Sequence, residues 1–140
     1  VYEITDAMKA GLKDFAAGYA TEAQTAETIH DVYKKTGYVM DTHTAVAAHV
    51  CQEYQENSGD KTKCVVASTA SPYKFAGSVM AAIDEKYASV DEFDLLKELS
   101  QVSNTEMPNA IKEILNANIL HTLECDVDKM EDTVKAILEL

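Results

Sequence analysis

The sequence predicts an α/β fold, and three observations lead to this prediction. Amphipathic segments with helical spacing alternate with short apolar runs of strand character. Capping residues and glycines stand at the ends of the helical segments. With 140 residues, of which 46% are hydrophobic, the chain can bury one core, so we predict a single domain over residues 1–140.

Three helices are predicted in the first half of the chain. The first covers residues 5–17, where apolar side chains recur at helical spacing. Thr21 begins a capping-box pattern that opens the second helix, and Gly37 suits its C-terminal end. Asp41 is a typical N-cap for a third helix that runs to about residue 56.

Four shorter helices are predicted in the second half. Ser71 and Pro72 suit the cap and first residue of one helix, Ser89 begins a second capping-box pattern, and Pro108 starts a third helix. Asp126 or Asp128 caps the last one. Its apolar stripe is expected to face the core and consists of Met130, Val134, Ile137 and Leu138.

Two apolar runs predict strands. Residues 63–67 lie between turn signals and read as a buried strand, and residues 118–124 read as a second strand. Residues 38–40 are a brief strand or a buried connector.

Charge and composition exclude several classes of function. The formal net charge is −12, which repels phosphate backbones and anionic lipid surfaces, so we predict no nucleic-acid and no membrane partner. The sequence contains neither an apolar run long enough for a membrane helix nor a signal-peptide pattern. Three widely spaced cysteines indicate a reducing, cytoplasmic setting rather than a disulfide framework.

The first candidate site follows the predicted strand at residues 63–67. Ser68, Thr69 and Ser71 place hydroxyl groups between that strand and the start of a helix, where α/β proteins bind ligands. The alternative is structural, with Ser71 as a cap and the other two hydroxyls bonding nearby backbone.

The second candidate site is the segment from Asp41 to Thr44. His43 could act there as an acid, a base or an anion ligand, or it could be a surface histidine beside an ordinary cap. A metal site with His49 and Cys51 is rejected, because residues 43 and 49 fall on nearly opposite faces of a helix and match no zinc spacing.

Three segments, in order, resemble the threonine synthase family of the longer type found in fungi and many bacteria. They are residues 28–46, which include Tyr-Val-Met-Asp-Thr-His-Thr-Ala-Val, residues 65–75, which read Val-Val-Ala-Ser-Thr-Ala-Ser-Pro-Tyr-Lys-Phe, and a tail from about 118 to 138. The resemblance covers essentially the whole chain and is weakest over residues 85–117. The family usually has Pro at the position of Thr42 and often has His at that of Ser71.

The resemblance implies a pyridoxal-phosphate-dependent lyase that converts O-phosphohomoserine and water to threonine and phosphate. It also implies a fold of the tryptophan synthase β type, with helices flanking a short, mostly parallel sheet. The lysine that holds the cofactor and the loop that binds its phosphate lie upstream of the matched region. We therefore expect a C-terminal fragment of the cofactor-binding domain, inactive and prone to self-association alone, which agrees with its start at Val1 rather than Met.

The resemblance also implies site residues. Thr69, with Ser68 as second choice, would bind the pyridine nitrogen of the cofactor, and Asp41, His43 and Thr44 would form a second wall near the substrate, with His43 a candidate for catalysis. No metal is implied.

Two alternative functions remain. One is an acidic helical interaction module without catalytic activity, and the other is a small-molecule-binding domain with an anion site at the helix start after Thr69.

Overall fold

The computed structural model describes residues 3–140, and within that range it is helical, with no strand and no sheet. The predicted α/β fold, with helices flanking a short parallel sheet, is therefore wrong. Three short 3₁₀ helices, at Pro72–Phe75, Glu85–Tyr87 and Val127–Lys129, accompany the α-helices. The α-helices are α1 (Asp6–Gly11), α2 (Glu22–Thr36), α3 (Thr42–Ser58), α4 (Ala76–Ile83), α5 (Glu92–Ser103), α6 (Asn109–Leu115) and α7 (Met130–Ile137).

The two predicted strands are exposed segments without secondary structure. Val65 in the first is 94% exposed, and Ile119 in the second is 84% exposed. A strand forms only where a neighbouring strand pairs its N–H and C=O groups. Neither segment has such a neighbour within residues 3–140, so strand-forming side chains alone do not produce a strand. Residues 38–40 are the buried connector, since Val39 and Met40 are both buried.

The ends of α2 agree with the prediction. The Thr21 hydroxyl accepts from the backbone N–H of Gln24, and the Gln24 side chain accepts from the backbone N–H of Thr21, which completes the capping box. Gly37 ends the helix at φ 75° and donates its N–H to the Tyr33 carbonyl. That left-handed conformation is easy for glycine and strained for other residues.

The other predicted starts are confirmed in part. Ser71 accepts from the backbone N–H of Tyr73 and caps the 3₁₀ turn that leads into α4. The capping box at Ser89 is wrong, because Asp91 caps α5 by accepting from the N–H of Phe93. The first helix is shorter than predicted and ends at Gly11.

The core lies between α2, α3, α4 and α5. The α4 helix is central, because it packs against α2 on one side and α5 on the other. Burial of this apolar surface is the main force that holds the four helices together. The buried apolar residues are Ile29, Val39, Met40, Ala45, Tyr73, Ala76, Val79, Met80, Ile83, Leu95, Leu96 and Leu99.

The last helix departs from the prediction. The apolar stripe of α7 was expected to face the core, but Met130, Val134, Ile137 and Leu138 are all exposed. No helix in the described part of the chain is both long enough and apolar enough to cross a membrane.

Candidate functional site

Asp41 is a buried carboxylate at the start of α3. It is 1% exposed, and its Oδ1 accepts the backbone N–H groups of His43 at 2.9 Å and Thr44 at 3.3 Å. Its Oδ2 accepts the Thr44 hydroxyl. The carboxylate thus satisfies the unpaired amides of the first turn and holds one side chain of that turn in place.

These hydrogen bonds set the charge state of Asp41. Burial raises the pKa of its carboxyl, but the bonds from the Thr44 hydroxyl and from the two backbone amides together outweigh burial. The net result is a pKa below the ordinary value of an aspartate. Asp41 is therefore a carboxylate at neutral pH, and the site holds one fixed negative charge.

A hydrogen-bond chain joins Asp41 to the other candidate segment. The Oγ atoms of Thr44 and Ser68 are 3.1 Å apart, although the two residues are separated by 24 positions in the chain. The Thr44 hydroxyl is the donor in both contacts, so its one proton lies between the Asp41 carboxylate and Ser68 Oγ. Ser68 accepts in this pair.

The direction of this bond decides what each hydroxyl can offer a ligand. Ser68 Oγ accepts from Thr44, so its own proton is not used in that bond. Thr69 is exposed. Both adjacent hydroxyls therefore keep a proton that a ligand could accept. The purely local alternative for Ser68 is wrong, because its bond reaches a side chain of α3.

His43 lies on the other side of Asp41. Its Nδ1 is 3.3 Å from Asp41 Oδ1, and its ring packs against Phe75 with centroids 5.0 Å apart. The side chain is 60% exposed, so Nε2 is the ring nitrogen that a ligand could reach. His43 and Phe75 line a depression of about 250 Å³ that Ser68 does not reach.

Ser68 lines a larger cavity of about 400 Å³ between the connector before α3 and the end of α5. Ser71 and two hydroxyl residues that the sequence analysis did not single out, Ser103 and Thr105, also line it. The buried Tyr73 closes the cavity and donates its hydroxyl to the Thr105 carbonyl at 3.1 Å. In the sequence, the polar run Ser103-Asn104-Thr105 after a predicted helix could have pointed to these two hydroxyl residues.

The structure therefore brings together Asp41, Thr44 and Ser68 and turns His43 to a separate surface. Thr69 follows Ser68 in the chain but does not line the cavity that Ser68 lines. No group of three metal-ligating side chains suited to an ion occurs among residues 3–140.

Comparison with known proteins identifies the family. The family model described as "Threonine synthase, C-terminal" matches residues 44–136, about two thirds of the chain. The chain belongs to the threonine synthase C-terminal family. The resemblance seen in the sequence is thereby confirmed. The family match includes Thr44, Ser68 and Thr69 and begins three residues after Asp41.

Individual relatives agree with this membership. Threonine synthase of Corynebacterium glutamicum is 30% identical over 111 residues, which are 77% of this chain and 22% of that protein. Threonine synthase-like 1 is 32% identical over 95 residues in Mus musculus and 31% identical over 96 residues in Homo sapiens. Both matches cover 68% of this chain and 11% of the relative. The chain thus spans about a fifth or less of the length of these relatives.

Proposed function

We propose that this chain is the C-terminal part of a threonine synthase, a lyase that converts O-phosphohomoserine and water to threonine and phosphate. Membership of the family supports the proposal. The observation that carries it is the hydrogen-bond chain that joins Ser68 through Thr44 to Asp41, with the exposed Thr69 directly after Ser68.

The described residues fit one edge of a pyridoxal phosphate site. When bound, this cofactor withdraws electrons from the substrate carbon that loses a proton. A donor hydroxyl suits its neutral pyridine nitrogen, and the family resemblance implies Thr69, which is exposed, with Ser68 as second choice. A neutral hydroxyl also leaves that nitrogen without the full charge that a carboxylate partner would induce.

Asp41 and Thr44 act as positioning residues in this proposal. The Asp41 carboxylate orients the Thr44 hydroxyl, and Thr44 in turn fixes the side chain of Ser68 beside Thr69. The Thr44 hydroxyl, which contacts Ser68, is thus held by a group that is buried and charged at neutral pH. The segment from 68 to 71 is otherwise without helix or strand before the 3₁₀ turn at Pro72–Phe75.

The isolated chain is expected to be inactive under this proposal. It spans 22% of the Corynebacterium glutamicum enzyme, and the remaining length would supply the lysine and the phosphate loop that the family resemblance places upstream. His43 would face substrate from the far side of Asp41.

Substitution of Thr69 in the longer enzyme tests the proposal. We expect Thr69→Val to lower kcat by at least tenfold and to shift the absorbance of the bound cofactor, whereas Thr69→Ser, which keeps the hydroxyl, should retain most of both. Normal turnover and unchanged cofactor absorbance in Thr69→Val would overturn the assignment of Thr69.

His43→Ala in the same longer enzyme should raise KM if His43 contacts substrate.

A further inference from the structure

Two of the three cysteines lie side by side although they belong to different segments. Cys51 is half-buried on α3, and Cys64 is exposed on the segment that returns along that helix. Gln55, one turn after Cys51, donates its side-chain amide to Cys64 Sγ at 3.4 Å and to the Thr62 carbonyl at 2.8 Å. This side chain therefore anchors residues 62–64 against the face of α3 that carries Cys51.

Gln55 thereby brings the Cys64 thiol to the face of α3 that carries the Cys51 thiol. The neighbouring Cys64 thiol is the main reason that the pKa of Cys51 lies above its ordinary value, and burial adds to the effect. Cys51 is consequently a thiol at neutral pH, while Cys64 is the exposed member of the pair. An oxidant in solution reaches Cys64 first.

We propose that Cys51 and Cys64 form a reversible disulfide that fixes the segment from 62 to 68 to α3. The oxidant is a small-molecule disulfide of the glutathione class. The Cys64 thiolate attacks one of its sulfurs and releases the first small thiol, which leaves a mixed disulfide on Cys64. Cys51 then loses its proton to water and attacks Cys64 Sγ, which releases the second small thiol. Two protein thiols are oxidised, and one small disulfide is reduced to two thiols.

The cross-link would act on the segment that carries the candidate site. In the reduced chain this segment is held to α3 at two points, by Gln55 at Cys64 and by Thr44 at Ser68. Val65 between them is 94% exposed, so little packing restrains the segment. A covalent bond at Cys64 would replace the weaker anchor, which is the Gln55–Cys64 hydrogen bond. The new bond would lie only four residues before Ser68.

Oxidation of the 140-residue chain with oxidised glutathione tests the proposal. Peptide mass mapping without reductant should find a Cys51–Cys64 link, whereas Cys125, which is exposed and not part of the pair, should be free or carry glutathione. Tm should rise by roughly 10 °C, as expected for a cross-linked loop of this size. Amide exchange at residues 63–67 should slow, and reductant should reverse all these changes.

Single variants provide the controls. Cys125→Ser should keep the cross-link and the rise in Tm, whereas Cys51→Ser should give only a glutathione adduct on Cys64. If glutathione accumulates on Cys64 of the unsubstituted chain without a Cys51–Cys64 link, or if Cys125 enters the main cross-link, the proposal is overturned. Mapping on the unsubstituted chain decides between these outcomes even if a variant does not fold.

Discussion

Asp41 links the start of α3 to the segment that carries Ser68 and Thr69. Its two oxygens accept the first-turn amides and the Thr44 hydroxyl, and the Thr44 hydroxyl also donates toward Ser68. One buried carboxylate therefore serves both as a helix cap and as the end of a hydrogen-bond chain. Loss of its charge should weaken both functions together.

Asp41→Asn should reduce stability in a pH-dependent way. The folded-state pKa of Asp41 is lowered, so its carboxylate stabilises the fold above the ordinary aspartate pKa, and this contribution is lost as the pH falls through the folded-state value. We expect a loss of about 1 kcal/mol at pH 7, from weakened hydrogen bonds to a charged group. Urea unfolding of both proteins from pH 7 to pH 3 measures the difference.

The difference between the two proteins should shrink toward pH 3, because protonated aspartate and asparagine are then alike. Glu53→Gln, on the exposed side of the same helix, should change stability little at any of these pH values. A loss that stays constant over the whole range would contradict the charge-based role of Asp41.

Local hydrogen bonds were predictable from the sequence, and the distant one was not. Asp41, Thr21 and Ser71 cap helices within three residues of themselves, so their roles follow from sequence neighbours. The Thr44–Ser68 bond depends on how α3 packs, which no sequence pattern specifies. The family resemblance pointed to both residues without predicting that they touch.

Among the elements, α2 has both of its ends fixed by side chains or backbone conformation, as does α3, which begins at the Asp41 cap and ends at Gly59. The capping box at Thr21 satisfies the first turn, and Gly37 ends the last. After α2, the chain runs through the buried connector to Asp41. The position of Asp41 therefore depends on the turn at Gly37.

The separate variants Gly37→Ala and Gly77→Ala should change stability in opposite directions. A methyl group at Gly37 or at Gly77 would meet no atom within 4 Å, so the backbone alone decides the outcome. Gly37→Ala should cost about 1 kcal/mol because its φ is positive, and Gly77→Ala should stabilise α4 by up to about 1 kcal/mol. Thermal unfolding checks both variants, and equal shifts in Tm would contradict the argument.

Apart from the cap predicted at Ser89, the wrong predictions of elements concern apolar patterns. Residues 63–67 and 118–124 have strand-forming side chains, and α7 has an apolar stripe, yet all three are exposed. An apolar pattern shows that a face can be buried, but burial requires a surface to receive it. Helices α2 to α5 find that surface in one another, whereas these three segments do not find one within residues 3–140.

In the whole molecule, many of the exposed apolar side chains fall in two stretches of the chain. One lies near the start of the described chain and includes Met8, Leu12 and Phe15. The other runs from Ile119 to Leu140 and includes the stripe of α7. Exposed apolar surface of this extent is typical of proteins that associate.

We predict that the isolated chain self-associates. Polar substitutions on the α7 stripe, such as Val134→Lys with Ile137→Lys, should shift it toward the monomer, because both side chains are more than half exposed and lie outside the core. Light scattering over a concentration series measures the mass, with Thr133→Lys as the control on the same helix. A monodisperse monomer at high concentration in the unsubstituted chain would show the prediction to be wrong.

Under the proposed function, this chain supplies part of a threonine synthase site and needs the rest of the enzyme to act. Phosphate release from O-phosphohomoserine, with pyridoxal phosphate present, can be measured for the longer protein and for the 140-residue chain alone. We predict release, with threonine formed in equal amount, by the longer protein only. Release by the chain alone, or none by a folded, cofactor-loaded longer protein, would contradict this proposal.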